Sequence, residues 1–234
     1  MKNQYIIASV ILAIGLTILG GDIASGLRSF NAANRTVTVK GLAERDVKAN
    51  KVTWPLTYKE IGNDPSLMYE TMRQKNKKVV EFLEKGGINA SEISVNPPTI
   101  VDRQADNYGN EIMKFRYKAT SVITVTSTDV DKVRKLISSQ AELMKDGIAL
   151  VYEAYATSPI VYEFTGLNDI KLEMVEEATK NARITAEKFA EDSECELGRI
   201  RTANQGQFSI ADRDATTPYI KHIRVVNTIQ YGLK

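Results

Sequence analysis

Hydrophobic and polar positions change their spacing several times along this 234-residue chain, and each change predicts an element. From Asn3 to Gly21 no residue is charged. As a helix, that run spans about 28 Å, close to the roughly 30 Å hydrocarbon core of a bilayer. Ile6, Ile7, Val10, Ile11, Leu12, Ile14, Leu16, Ile18 and Leu19 supply its apolar centre and form the expected membrane segment. Lys2 precedes it, so the positive-inside tendency keeps the extreme N-terminus cytoplasmic and sends the rest of the chain outward. Two alternatives stay open: a cleavable signal peptide cut near Ala24-Ser25-Gly26, and a buried soluble helix. Asp22 to Asn34 reads as a polar linker, so residues 1–34 are expected to be anchor and linker.

Beyond the linker the period shortens to two. Thr36-Val37-Thr38-Val39 alternates and is expected to end at Gly41. Val52, Trp54, Leu56 and Tyr58 alternate over Lys51–Ile61, and Pro55 within that run predicts an edge strand or a bulge. Asp64-Pro65 is an N-cap followed by proline at the first helical position. The helix behind it carries Met68, Met72, Val79 and Leu83 inward and stops at Gly86-Gly87. A strand over Ile93–Val101, interrupted at Pro97-Pro98, leads to a turn at Asp106–Asn110. Phe115, Tyr117, Ala119, Ile123 and Val125 then share one strand face and Lys114, Arg116, Lys118 and Thr120 the other, as in an antiparallel sheet. Asp129 caps a second helix with Val130, Val133, Ile137 and Met144 inward and Gly147 as its stop. A strand region follows from Ile148 to Phe164. A third helix runs from Asn168 or Asp169 to Asp192 with Leu172, Val175, Ala182 and Phe189 as its stripe. Ala178, Ala182, Ala186 and Ala190 recur every fourth residue, which permits close approach of a neighbour. Strands over Arg199–Ile210 and Tyr219–Leu233 flank a turn through Asp214 and Pro218.

These elements fall into two similar halves, about 51–127 and 148–233, each reading strand, helix, strand, turn, strand. The expected fold is α+β: duplicated β-α-β-β units forming antiparallel sheet covered by long helices, over residues 35–234, preceded by one N-terminal transmembrane helix. Composition adds two limits. Hydrophobic residues at 43% are enough for a real core, and a net charge of +2 argues against a general polyanion binder, so no nucleic-acid partner is expected.

Candidate chemistry is sparse. The single histidine, His222, lies in the last strand, and with one cysteine, Cys195, it cannot complete the usual zinc sets; no metal or cofactor is expected. Cys195 has acidic neighbours, Glu194 and Glu196, and reads as an incidental thiol or a redox-sensing one. Glu173, Glu176 and Glu177 share a helix face and suit either solvent or a hard cation. Asp212, Arg213 and Asp214 cluster beside a turn. Arg73, Lys75, Lys77 and Lys78 are a solvated face or an anionic-lipid contact. Tyr152, Tyr155, Tyr162 and Phe164 form an aromatic strand region, read as core or as a subunit interface. Gly86-Gly87 and Gly206 fit no phosphate-loop pattern.

Four stretches carry a resemblance: Val37-Thr38-Val39-Lys40-Gly41 with Ala43-Glu44; Ala178-Thr179-Lys180-Asn181-Ala182-Arg183 with Ala186; Ala203-Asn204-Gln205-Gly206-Gln207-Phe208; and Arg224-Val225-Val226-Asn227-Thr228-Ile229. Together they resemble the SIMPL-domain family of bacterial envelope proteins, over roughly residues 36–234. The resemblance implies an exported protein without agreed catalytic residues, homo-oligomeric assembly, and for some members a link to oxidative-stress tolerance or immunogenicity. The expectation is a non-catalytic envelope module, tethered to the inner membrane by its N-terminal helix or released by cleavage into the periplasm. Its small-molecule or protein ligand is not legible in the sequence. The alternatives are a carboxylate-based hydrolase using Asp212, Asp214 or the third-helix glutamates, and a periplasmic ligand- or peptide-binding module with an open sheet edge near Pro55 or Pro97-Pro98.

Overall fold

The computed structural model describes residues 12–26, 35–105, 113–151 and 159–234. The fold is α+β, with antiparallel strand pairs and helices beside them. Residues 12–26 form α1, and every residue in it is exposed. No helix among the described residues is long and apolar enough to cross a membrane. Ile6, Ile7, Val10 and Ile11 of the expected segment lie outside those residues.

The remaining chain divides into two compact units. One holds residues up to Arg45 with Asn168–Ile210 and Ile223–Lys234; the other holds Asp46–Leu167 with Ala211–His222. The chain passes between them within strands β1 (Thr36–Lys48) and β9 (Ile220–Leu233), at the start of the helix Leu167–Asp192 and within the strand Ser209–Asp212.

In the second unit, β2 (Lys51–Gly62) is the spine. Val52, Trp54, Leu56 and Tyr58 are buried, as the alternation predicts. Helix α2 (Pro65–Lys85) begins where expected, because the Asp64 side chain accepts hydrogen bonds from the Ser66 and Leu67 amides. Its buried residues are Met68, Met72, Val79 and Leu83, the predicted stripe. Gly87, at φ +85°, ends it in a conformation that glycine adopts without strain. Short strands β3 (Ile93–Val95) and β4 (Thr99–Asp102) flank Pro97-Pro98, and β5 (Tyr117–Ser127) pairs antiparallel with β2 along its whole length. The expected turn at Asp106–Asn110 lies outside the described residues, which resume at Met113.

Pro55 does not mark a bulge. Its register is continuous, with Trp54 opposite Val125, Pro55 opposite Thr124 and Leu56 opposite Ile123. Nor is β2 a free edge: β6 (Val161–Glu163) pairs with Lys51, Val52 and Thr53, and the proline falls just beyond that ladder, where its missing N–H leaves no rung broken.

Helix α3 (Val130–Ser139) is capped by the Asp129 carboxylate on the Lys132 amide. The expected inward Met144 is instead 65% exposed, and Leu136 and Leu143 are buried. The chain tightens into a 3-10 helix over Gln140–Asp146. Each residue there turns about 120° rather than 100°, so the heptad relation between Ile137 and Met144 is lost. At the α2–sheet seam the Tyr58 hydroxyl and the Ser121 hydroxyl both donate to Asn76 Oδ1, at 2.7 and 2.8 Å. Burial pushes the Tyr58 phenol up to about 12.

The first unit is built from β1, α4 (Leu167–Asp192), β7 (Leu197–Asn204) and β9, with strand order β1-β9-β7; β8 (Ser209–Asp212) also pairs with β9. Strand β1 does not stop at Gly41; it runs on to Lys48. The glycine is there for space, because a Cβ at Gly41 would lie 1.8 Å from the Ala178 carbonyl oxygen. The face of α4 that meets the sheet is Met174, Ala178, Ala182, Ala186 and Ala190. This replaces the stripe read from periodicity: Leu172 is 81% and Phe189 55% exposed, and Val175 is only half-buried. Beside Ala178 and Ala182 large side chains cannot occupy the seam, since the helix backbone there rests almost on the strand.

Candidate functional site

The stretches that carried the family resemblance meet in the first unit. Gly41 lies against Ala178 and Ala182. The Asn181 side chain donates to the Leu42 carbonyl at 2.8 Å, tying α4 to β1. Asn227, buried on β9, donates to the Val175 carbonyl at 3.2 Å and to Thr179 Oγ1 at 3.0 Å. Gly206 passes so close to β9 that a Cβ would come within 2.1 Å of the Val226 carbonyl. These residues therefore build one seam of small side chains and asparagine hydrogen bonds. Backbone carbonyls that face a buried seam need donors, and the two asparagines provide them.

Beside the seam, one flank of α4 and strand β7 leave an open groove of about 760 Å³. Lys180, Arg183 and Glu187 line the helix side; Leu197, Arg199 and Ile200 line the strand side. Tyr231 on β9 forms part of the floor and is 4% exposed. Arg183 pairs with Glu187 at 2.9 Å. Burial raises the Tyr231 phenol pKa, the Arg183 charge opposing and the Glu187 charge adding to the shift. Sequence reasoning did not single out this groove. Its signal is the recurrence of Lys180, Arg183 and Glu187 at helical spacing on a face away from the alanines.

The residues singled out from sequence are mostly engaged in structure. Glu173 and Glu177 face Arg45 of β1 at 2.7 and 3.5 Å, while Glu176 lines the groove, so the three do not converge. The Arg45 hydrogen bond holds the Glu173 carboxyl below its ordinary range. Asp214 accepts from the Thr216 and Thr217 amides at 2.9 and 2.8 Å, from both threonine hydroxyls, and from Arg213. Those hydrogen bonds, led by Thr216, lower its pKa well below the carboxylate range. Asp212 pairs with the buried Lys221. A general acid needs the opposite shift, upward.

The four α2 cations singled out from sequence are each partnered: Arg73 with Glu70, Lys75 with Glu60, Lys77 with Glu81 and Lys78 with Asp146. His222 Nδ1 and Asp46 Oδ1 are 2.8 Å apart. The Cys195 thiol donates to the Ser193 carbonyl. Tyr162 is core, in edge-to-face contact with Tyr219, Phe164 is half-buried, and Tyr152 and Tyr155 lie outside the described residues. No group of three or more metal-ligating side chains converges among the described residues.

An antiparallel sheet seated on an alanine-faced helix by asparagine donors defines the class: a two-unit α+β domain with a side groove. The SIMPL family model, whose description is "Protein of unknown function (DUF541)", matches residues 37–225, and the chain belongs to that family. The comparison with curated proteins returns no match.

Proposed function

We propose that this chain is a membrane-anchored module whose two-unit body lies outside the cytoplasm, self-associates, and serves the cell envelope by binding rather than by turnover. The observation that carries this reading is α1. Leu12, Ile14, Leu16, Ile18 and Leu19 are each more than half exposed on it, so among the described residues nothing packs closely over these apolar side chains. They continue an uncharged run that begins at Asn3, after a lysine. Such a surface is costly in water and matches lipid. Self-association draws support from Ile184 and Phe189, each 55% exposed on α4.

The test is fractionation of cells expressing the full chain, with alkaline carbonate extraction and external protease on spheroplasts. The chain stays in the membrane pellet, the protease removes the body, and light scattering of the detergent-solubilised protein gives a mass above the 26.0 kDa of one chain. Recovery in the cytosolic fraction, protected from protease, would overturn the placement. A strict monomer would overturn the assembly.

A further inference from the structure

We propose that the groove between α4 and β7 binds a single-chain carboxylate amphiphile, an anion of the fatty-acid class. Four observations converge on it. Its volume, about 760 Å³, lies in the range of small-molecule sites. Leu197 and Ile200 on the strand side and the ring of Tyr231 on the floor supply apolar lining, which suits an acyl chain. Among the described residues Lys180 and Arg199 have no ion-pair partner, although both line the groove. The Tyr231 hydroxyl, on a side chain almost wholly buried, has no hydrogen-bond partner among those residues either. An unused phenol O–H beside two uncommitted cations suits a carboxylate headgroup, because charge-assisted donors of this kind are the strong ones. The carboxylates that line the groove do not cancel this. Glu187 is taken by Arg183, which leaves Glu176 against Lys180 and Arg199.

The groove follows from the seam. Alanines let α4 sink onto β1 and β9 and leave its flank over β7 uncovered. An extended peptide is the competing occupant, since β7 has a strand partner on one side only. However, β7 shifts register between Leu197 and Ile200 and again between Ile200 and Thr202, so it offers no regular ladder for an added strand. Raised by burial, the Tyr231 phenol keeps its proton at neutral pH and can donate. The proposal does not depend on membrane anchoring, and its test reads the two separately.

The experiment uses the full chain in whole-cell extract, membrane and soluble fractions together, with a diazirine-bearing palmitate as probe. After irradiation and digestion, mass spectrometry locates the adducts. The expected adducts fall on residues 180–187 and 197–200. The double variant Lys180→Ala/Arg199→Ala lowers them at least fivefold, while the yield of unmodified peptides from the second unit stays constant as an internal standard. Tyr231→Phe, which keeps the ring and removes only the hydroxyl, also lowers them. Unlabelled palmitate displaces the probe, and hexadecanol, of equal length without charge, does not. Adducts confined to residues 3–26, equal labelling of the double variant, or equal displacement by hexadecanol would each overturn the proposal.

Discussion

Replacing one hydrogen by a methyl group at Gly41 tests the seam directly. The new Cβ would lie 1.8 Å from the Ala178 carbonyl oxygen, 2.5 Å from the Ala182 nitrogen and 2.7 Å from the Ala182 Cβ. Heavy atoms at ordinary contact are about 3.5 Å apart, so α4 must lift by roughly 1.5 Å or β1 must bend. Two of these obstacles are helix backbone and the third is an alanine Cβ, so no flexible side chain can swing away. Overpacking alone costs about 1–3 kcal/mol, and a lifted helix also loses contacts along the alanine face, so Gly41→Ala should destabilise by about 3 kcal/mol. For a chain of this length that corresponds to a fall of roughly 6–12 °C in Tm. The assay is thermal melting by circular dichroism, paired with hydrogen exchange of the α4 amides. Trp54, the single tryptophan, sits in the core of the other unit, and its fluorescence separates a local loss from a global one. Gly20→Ala is the control, with nothing within 4 Å of the added carbon. A melting temperature within about 1 °C of the parent, with unchanged α4 exchange, would refute the close-approach argument.

Two further outcomes follow from the same chemistry. Asn227→Ala removes the donors to Val175 and Thr179 and should cost about 2 kcal/mol, read by denaturant titration; Asn227→Asp, which turns a donor into an acceptor facing the Val175 carbonyl, should cost at least as much. Acid should weaken the fold in a defined window. Asp102 is lowered chiefly by its Arg116 hydrogen bond, Glu173 by that from Arg45, Asp129 by the Lys132 amide and Asp214 by Thr216. With folded values below unfolded ones, the unfolded chain binds more protons, so this stabilisation is complete above the unfolded carboxylate range, near pH 4, and is lost as pH falls through the folded values. Melting temperatures between pH 6 and 2 should show that limb, and Arg45→Ala with Asp214→Asn should flatten it; an unaltered slope would contradict the assignment.

Much of the second unit was legible because its signals are local. Asp64-Pro65 caps α2, and its buried face follows the 3.6-residue period as read. Strand β2 buries Val52, Trp54, Leu56 and Tyr58 as read, and Pro55 and Thr57 on its other face are buried as well. What escaped was geometry that depends on a distant partner. The alanine recurrence of α4 was legible as a face for close approach, but periodicity also put Leu172 and Phe189 inward, and the neighbour that comes close, β1 with its glycine, was not legible. Gly41 looked like a strand end for the same reason: its role is close approach, visible only once α4 is in place. Met144 was misplaced by a local change of helix type that the sequence does not advertise. The groove was hidden because its lining comes from three elements, and Lys180, Arg183 and Arg199 read singly as ordinary surface charge.

Strand β9 lies in the middle of the order β1-β9-β7, and all of it from Ile223 onward belongs to the first unit. The keystone of that sheet is therefore a segment far along the chain from the strand it joins on one side. All of α4 and β7 must be made before β1 finds its neighbour, a long-range closure that slows folding more than it weakens the product. Deleting the β9 residues of the first unit would remove the centre of that sheet rather than fray its margin.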